Sequence, residues 1–327
     1  MSEEVMLWSW DDPFFKDLDG PIYHYTTASA LKSIVEHDEL WAMEASSESD
    51  KYEVAYGREL VEGWLGDQNE RRSQVQEQYV RAALELVHSG VLPTRQDDVF
   101  VLSASLDDDD MTQWDRYASG GNGFMLGIDP KADLSAKRLK SSYDLPRAGA
   151  FQDGMVVSSG WNRVVYGDDQ AKRLLNSLLE HVESEDGRIK PTGPLVLEKH
   201  PIFTHFVNAL VVLMSLIKKW AFRNEHEVRY VVHVLDSGVY SETKCIGGSI
   251  RRHVALEGPI RSIVPEDHAP ETRVTKHWRH LPISSVMMGP NCSSTMAGVH
   301  QLLEETFYPG DFDTCEEIGV SSARAAA

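Results

Sequence analysis

Cysteine is scarce in this sequence. The 327 residues include three cysteines, Cys245, Cys292 and Cys315, which lie far apart and form no CxxC pair. This fits neither a disulfide framework nor a thiolate zinc site. Residues 1–12 are acidic and lack the basic start and apolar centre of a signal peptide. From these two absences we expect a cytoplasmic protein.

Long hydrophobic runs are also missing. The most apolar stretch, residues 201–217, contains His205 and Asn208. It is shorter than the roughly 20 apolar residues that cross a bilayer as a helix. We therefore expect a buried helix there and no association with a membrane.

Positive charge is in deficit. Lysine and arginine number 32 against 51 acidic residues, which gives a formal net charge of −19. This charge disfavours sequence-independent coating of DNA or RNA, although a local basic pocket remains compatible with it. It favours a protein or a small molecule over duplex nucleic acid as the partner. The 42% of hydrophobic residues and the 8 tryptophans are enough for a core and exclude global disorder.

Several nucleotide and hydrolase motifs are absent. The chain has no Walker A motif, no GxGxxG after a strand and no GxSxG elbow. Metal sites are poorly supported as well. His277 and His280 have no acid or cysteine nearby to complete a set, and the four aspartates at 107–110 lack the glycine and alternating ligands of a calcium loop. The sequence therefore predicts no metal site.

Short strands and helices alternate without a 20–50 residue repeat, which predicts an α+β fold. We expect an N-terminal extension at 1–20, a single α+β domain at 21–315 and a flexible tail at 316–327. Helical insertions are expected at about 52–90 and 168–220. The pattern predicts strands at 22–26, 39–43, 99–105, 124–128, 225–235, 261–264 and 284–288, and helices after Thr27 and at 52–65, 69–88, 168–182, 201–220 and 293–307.

The segment Asn-Glu-His-Glu-Val-Arg-Tyr at 224–230 has the sharpest local pattern. If it is extended, alternation puts Glu225, Glu227 and Arg229 on one face, with the carboxylates about 7 Å apart. One carboxylate would then stabilise positive charge on a sugar ring while the other accepts a proton from the nucleophile. Arg229 would hold one glutamate ionised or bind a phosphate. A solvated ion-pair ladder is the alternative.

A second candidate is the segment Tyr-His-Tyr-Thr-Thr at 23–27. The two ring nitrogens of His24 suit ribose hydroxyls, and the rings of Tyr23 or Tyr25 suit stacking on a base or nicotinamide. The alternative is a hydrogen-bonded histidine of the core, which is the more common situation in a strand.

Several segments, in this order, resemble an uncharacterised bacterial and phage-associated family, domain of unknown function 2971. The resemblance spans about residues 21–291. The matching segments are Tyr23-His24-Tyr25-Thr26-Thr27 with Leu31, Ile34 and Leu40-Trp41; Asp50 with Glu53; residues 100–105; Trp114, Tyr117-Ala118, Gly123-Phe124 and Gly127-Ile128-Asp129; Trp220 with Glu225, Glu227, Val228 and Arg229; and Met288-Gly289-Pro290.

That family resembles distant ADP-ribosyltransferases, which have a His or Arg on the first strand, a Tyr or Ser in the middle and a late Glu. The resemblance implies a mixed sheet like their split β-sheet, and NAD as the substrate. It implies that His24 hydrogen-bonds ribose hydroxyls and that Glu227 is the late catalytic glutamate, which favours an oxocarbenium-like transition state. Glu225 would orient or deprotonate the acceptor.

The middle position of that skeleton has three candidates. Tyr117 would stack on nicotinamide, and Ser103 and Ser105 are its competitors. The predicted NAD-binding residues are His24, Tyr25, Thr26, Tyr117, Ser103 and Ser105, together with Arg229 as the phosphate ligand.

The resulting hypothesis is an NAD-dependent mono-ADP-ribosyltransferase, a toxin or phage-defence effector that modifies a protein, RNA or DNA acceptor. An antitoxin or chaperone would be a further partner. Two alternatives stay open. The chain is either a non-catalytic binding module that kept the fold, or an N-glycosidase that acts on NAD or a nucleoside with water as the acceptor.

Overall fold

A computed structural model describes residues 18–45, 51–88, 99–139, 156–186, 201–234, 240–246, 248–263, 276–307 and 319–323. The chain forms two compact units. The larger unit contains the described residues of Leu18–Lys51, Gln96–Trp161 and Phe222–Ala327, and the second contains those of Tyr52–Arg95 and Asn162–Ala221. The second unit is thus built mainly from the two segments in which the sequence predicts helical insertions. Most of the predicted N-terminal extension, residues 1–17, lies outside the described residues.

Helices and strands alternate along the chain. The helices are α1 (Ala28–His37), α2 (Lys51–Leu65), α3 (Gln74–His88), α4 (Met111–Tyr117), α5 (Asp168–Asp186), α6 (Pro201–Leu216) and α7 (Met296–Phe307), with a 3₁₀ helix at Trp220–Glu225. The strands are β1 (Ile22–Thr26), β2 (Leu40–Glu44), β3 (Val99–Ser105), β4 (Phe124–Ile128), β5 (Ser135–Ala136), β6 (Val156–Arg163), β7 (Val165–Tyr166), β8 (Ile217–Lys218), β9 (Glu227–Val234), β10 (Ser241–Ile246), β11 (Ser249–Glu257), β12 (Ile260–Ile263), β13 (Lys276–Arg279), β14 (Ile283–Met288) and β15 (Gly319–Ser322).

Most strands of the larger unit join one open, mostly antiparallel sheet of eleven strands. The main order is β10-β11-β2-β3-β1-β4-β14-β15, with β9 on β3, β6 on β9 and β5 on β11. The predicted α+β class is confirmed. The segment expected to be a flexible tail contains β15, which pairs in parallel with β14.

Strand β3 is paired along both edges. One edge pairs with β9 over its whole length, from Val99 to Ser105. The other edge is shared, because β2 pairs with Phe100 and Val101 and β1 pairs with Ser105. The strands β1 and β2 therefore separate along this edge, on either side of Ser103.

The two faces of β3 and β9 differ in chemistry because side chains alternate along a strand. One face enters the main hydrophobic core, with Phe100, Leu102 and Ala104 from β3 and Val228, Tyr230 and Val232 from β9. Residues of α1 and α7, including Leu31 and Leu303, complete that core. Burial of each large apolar side chain contributes about 1.5–3 kcal/mol. The opposite face carries the polar residues Ser103, Ser105, Glu227, Arg229 and His233.

Helix α1 follows its predicted cap. The Thr27 hydroxyl accepts a hydrogen bond from the Ala30 N–H at 3.2 Å. At the other end Asp38 takes a left-handed conformation with φ 53°, and its carboxylate accepts from the Leu281 N–H at 3.0 Å. The start of α1 is thus capped by Thr27, and its end is attached to Leu281 in the segment that leads into β14.

The second unit contains α2, α3, α5 and α6. Gly57 of α2 lies close to α6, because an added Cβ would lie 2.1 Å from the Met214 carbonyl oxygen. The apolar helix predicted for 201–220 ends at Leu216, since β8 pairs in parallel with β7 from Ile217. Within the described residues, no helix combines the length and the apolar character that crossing a membrane requires.

His233 of β9 is buried, with 4% of its surface exposed, and its Nε2 has no hydrogen-bond partner among the described residues. Burial lowers the pKa of His233 from 6.5 to about 4. The unfolded chain therefore binds a proton at a higher pH than the folded chain does. Its contribution to stability is present above pH 6.5 and is lost as the pH falls towards 4.

The substitution His233→Leu tests this assignment. Because leucine does not titrate, the loss of unfolding free energy on acidification across this range should shrink by about 3 kcal/mol. Urea unfolding at several pH values measures it. His300→Leu, at an exposed position of α7, is the matched control and should keep the wild-type acid dependence. An unchanged acid dependence in His233→Leu would show that the buried histidine does not carry it.

Candidate functional site

One row of side chains crosses three adjacent strands on the polar face of the sheet. Tyr23 of β1 lies opposite Ser105 of β3, and Ser105 lies opposite Glu227 of β9. Directly paired residues share a face and have Cβ atoms about 4.5–5.5 Å apart. Tyr23 of β1 and Glu227 of β9 therefore lie on the same face of the sheet, with β3 between them.

His24 contacts the same region from the other side of the sheet. Alternation along β1 puts it on the face of Ile22, and its Nδ1 donates to the Ser103 carbonyl oxygen at 2.9 Å. The ring fills the position where β1 and β2 separate. Burial lowers the pKa of His24 from 6.5. His24 and Glu227 thus lie at the two edges of β3, but the register does not put them on one face.

Glu227 and Arg229 form a buried ion pair. The Arg229 Nε donates to Glu227 Oε1 at 2.7 Å, and its Nη2 donates to Oε2 at 3.2 Å. Only 8% of Glu227 and 2% of Arg229 is exposed, so the pair is not a solvated ladder. These two hydrogen bonds fix the orientation of the Glu227 carboxylate. They also occupy the Arg229 guanidinium, which the sequence analysis names as a candidate phosphate ligand.

Glu225 does not continue the strand. It ends the 3₁₀ helix, and β9 begins at Glu227, so the predicted alternation holds for Glu227 and Arg229 and is wrong for Glu225. The reason is His226, whose φ of 41° turns the chain between the two glutamates. A non-glycine residue in this conformation stores about 1–3 kcal/mol of strain. The His226 ring holds the turn through Asp107, with 2.5 Å between Nδ1 and Oδ2.

Glu225 is nevertheless attached to the site by its side chain and by its backbone. Its carboxylate accepts from Arg116 Nη1 at 2.5 Å. Its carbonyl oxygen accepts from Ser105 Oγ at 3.0 Å and from Gln113 Nε2 at 3.3 Å. Both glutamates therefore lie beside β3. Glu227 pairs with Ser105 in the sheet, whereas Glu225 contacts Ser105 through its carbonyl oxygen and contacts α4 through Gln113 and Arg116.

Tyr25 and Thr26 serve to anchor the surrounding elements. The Tyr25 hydroxyl donates to the Asp107 carbonyl and accepts from the Asp110 N–H, both at 3.0 Å. Its ring packs edge-on against Trp114 at 4.9 Å, and burial raises the pKa of Tyr25. Thr26 is buried, and an added Cβ on Gly123 would lie 2.4 Å from its carbonyl oxygen.

The three candidates for the middle position differ in their surroundings. Tyr117 ends α4 and is 47% exposed, so its ring is accessible. Ser105 is buried, and its hydroxyl donates to Glu225 and accepts from the Asp107 N–H. The Ser103 hydroxyl oxygen is buried without a hydrogen-bond partner in the part of the chain that the structure describes. Ser103 is thus the one of the three with an unused polar group on the face of Glu227.

Tyr23 is the residue of β1 that lies opposite Ser105, on the face of Glu227. The sequence named its ring for stacking on a base or nicotinamide, but the predicted NAD-binding set left Tyr23 out. Burial followed by the charge of Asp108 raises the pKa of Tyr23. Arg116 was missed, although it is a basic residue directly after an acidic segment at 107–115.

The buried ion pair between Glu227 and Arg229 should contribute to stability only as long as both partners are present. Arg229→Leu leaves the Glu227 carboxylate buried without its partner, and we expect a loss of about 3–5 kcal/mol of unfolding free energy. The double variant Glu227→Leu, Arg229→Leu should lose much less, because no unpaired charge remains. Denaturant unfolding of the single and double variants gives the coupling energy. A single variant that loses less than the double one would contradict this account.

Comparison with known proteins agrees with part of the sequence interpretation. Residues 113–230 match a family model described as a protein of unknown function (DUF2971). A search of curated proteins and a search of solved structures gave no match. The matched stretch contains Tyr117, Glu225, Glu227 and Arg229, so the family resemblance inferred from the sequence is confirmed for this part of the chain: residues 113–230 match the DUF2971 family.

Proposed function

We propose that the chain is an NAD-dependent mono-ADP-ribosyltransferase-like protein. The observation that supports it best is the row Tyr23, Ser105 and Glu227 across β1, β3 and β9. An early strand and a late glutamate meet there on one face, with the His24 ring on the backbone of the strand between them. The separation of β1 and β2 along β3 is also compatible with a split sheet.

Glu227 would act on the ribose of the substrate. Its carboxylate stabilises the positive charge that develops as the C1′–N bond breaks and nicotinamide leaves with the bonding electron pair. A lone pair of the acceptor then forms the new bond to C1′, and the acceptor proton passes to the Glu225 carboxylate. The products are nicotinamide, the ADP-ribosylated acceptor and one proton, which returns to solvent.

The other residues would bind and orient the substrate. The Ser103 hydroxyl, which has no hydrogen-bond partner among the described residues, would donate to or accept from a ribose hydroxyl, which supports the fit of a nucleotide sugar. Tyr117 is 47% exposed, and its ring would stack on nicotinamide. Arg229 holds the Glu227 carboxylate in one orientation, and this role is favoured over phosphate binding because its guanidinium is already engaged.

A non-catalytic binding module is the second candidate function, and the same ion pair supports it. Both oxygens of Glu227 accept from Arg229, and a buried pair of this kind also serves purely structural roles. Such a module would bind NAD without turnover. The N-glycosidase alternative differs only in its product, because water would be the acceptor.

Glu227→Gln tests the proposed function. The wild-type protein should release nicotinamide from NAD, and loss of the charge opposite the developing oxocarbenium should lower the rate by about 100-fold or more. His24→Ala should lower it less, since His24 supports the site through the backbone of Ser103. Glu44→Gln is the matched control, because Glu44 pairs with Arg252 at 2.9 Å with 13% of its side chain exposed, outside the row.

The assay uses NAD labelled in the ADP-ribose portion, together with a cell lysate. Label that enters a macromolecule indicates transfer, and free ADP-ribose alone indicates hydrolysis. Wild-type rates of nicotinamide release in both Glu227→Gln and His24→Ala would reject the assigned site. Binding of NAD by the wild-type protein without nicotinamide release would favour the non-catalytic module.

A further inference from the structure

Strand β10 lies at one end of the large sheet. Its six residues, Ser241–Ile246, pair with β11 along one edge, and no described strand pairs with the other edge. The pairing with β11 is regular at all six positions, and the strand contains no proline. The outer edge of such a strand presents backbone N–H and C=O groups that an added strand can bind. The sheet can therefore be extended at β10.

The charges on β10 restrict which strand can be added. Natural sheets often protect an edge with a charged side chain, most often a lysine, and β10 carries Lys244 near its centre. Glu242 lies two residues before this lysine, so both side chains are on the same face of the strand. One strand thus carries both signs of charge. An antiparallel copy of the same strand matches these charges, whereas an uncharged strand does not.

The hairpin of β10 and β11 also has two cations side by side. Lys244 lies directly opposite Arg251, and like charges in opposite positions of a ladder are destabilising. The Lys244 side chain extends towards β2, where its Nζ lies 3.9 Å from the centre of the Trp41 ring and 4.0 Å from Glu39 Oε1. A carboxylate just beyond the edge of β10 would lie beside both cations and would offset their repulsion.

We propose that two copies of this chain pair antiparallel along β10 and form a symmetric dimer, with Thr243 on the two-fold axis. In this register Glu242 lies opposite Lys244 of the partner subunit, and Lys244 lies opposite Glu242 of the partner subunit. Each Glu242 carboxylate then lies beside the Lys244 and Arg251 cations of the other copy. The two large sheets become one continuous sheet.

The two-fold symmetry limits the possible registers. Two identical antiparallel strands pair with the axis either through a residue or between two residues. With the axis through Glu242 or through Lys244, two like charges face each other. With the axis one half-step on either side of Thr243, both charged residues face uncharged ones. The axis through Thr243 is therefore the register that matches both charges.

This interface is independent of the proposed function. Strands β11 and β2 separate β10 from β3, so the row of Tyr23, Ser105 and Glu227 is not part of it. The net charge of −19 makes two copies repel each other at long range. Association therefore depends on the backbone hydrogen bonds and on the local charge pairs at β10.

Charge reversal along β10 tests the interface. Sedimentation velocity of the full chain should show a monomer at low concentration and a dimer at high concentration. Glu242→Lys puts like charges opposite each other at both symmetric positions, so the Kd of the dimer should rise by about tenfold or more. Lys244→Glu should have a similar effect. An equimolar mixture of the two variants should form a mixed dimer, because positions 242 and 244 then carry opposite charges across the interface.

Glu304→Lys is the matched control for the change in net charge. Glu304 is exposed on α7, outside the sheet edge. A less negative chain repels its copy less, so this variant should dimerise at least as tightly as the wild type. Circular dichroism and thermal unfolding establish that Lys244→Glu is folded, since Lys244 also contacts Trp41.

Ser241→Cys tests the register, because position 241 lies opposite Cys245 of the partner subunit. Within one chain these positions are four residues apart on one strand, about 13 Å, which is too far for a disulfide. Across the proposed interface their Cα atoms lie about 4.5–5.5 Å apart, which suits one. With oxidised glutathione as the oxidant, mass spectrometry should find dimers in which positions 241 and 245 are joined. The wild type and the double variant Ser241→Cys, Cys245→Ser should lack this link.

Three results would count against the dimer. A wild-type chain that stays monomeric throughout the concentration series excludes it. A dimer with an unchanged Kd in both charge-reversal variants is held by another surface. Hydrogen exchange that protects the β10 amides equally at low and high concentration shows that a segment of the same chain covers the edge. The absence of the link between positions 241 and 245 in a charge-sensitive dimer would overturn the register. None of these measurements involves NAD, so they leave the test of the proposed function unaffected.

Discussion

The pairing of β3 along both edges is the constraint on which the site depends. Its edge with β9 fixes Glu227 opposite Ser105, and its other edge fixes Tyr23 opposite the same serine. Because the register of a sheet has a period of two, a slip of one residue in either ladder would turn Glu227 or Tyr23 into the hydrophobic core. The apolar side chains on the opposite face of β3 and β9 prevent that slip. The core thereby fixes the position of the polar face.

Helix α4 lies beyond the end of β3, and its position depends on β1. The Tyr25 hydroxyl bonds the backbone at both Asp107 and Asp110, so β1 determines where the helix starts. At the other end of this short helix, Arg116 reaches Glu225. A change in β1 would therefore be transmitted to the first glutamate through α4. The second glutamate depends instead on the ladder between β3 and β9 alone.

The sequence predicted the parts of the molecule that follow from local chemistry. The cap at Thr27, the strand at Ile22–Thr26 and the shared face of Glu227 and Arg229 all come from side-chain type and alternation. The placement of Glu225 could not be predicted, because it depends on a positive φ at His226, a residue that carries no turn signal such as glycine. The strand β15 was missed for a different reason. Its pairing with β14 is a long-range contact, and the four residues Gly-Val-Ser-Ser have little pattern of their own.

The two ion pairs differ in the exposure of their arginines. Glu227 and Arg229 are both buried, so removing one would leave the other charge buried without this ion pair. Arg116 is half exposed, but the Glu225 carboxylate that it contacts is only 7% exposed. The Glu225 backbone is also held by hydrogen bonds to its carbonyl oxygen, whereas the Glu227 side chain is oriented by two hydrogen bonds from Arg229. The position of the first glutamate therefore depends on its backbone as well as on its ion pair, and the orientation of the second depends on Arg229.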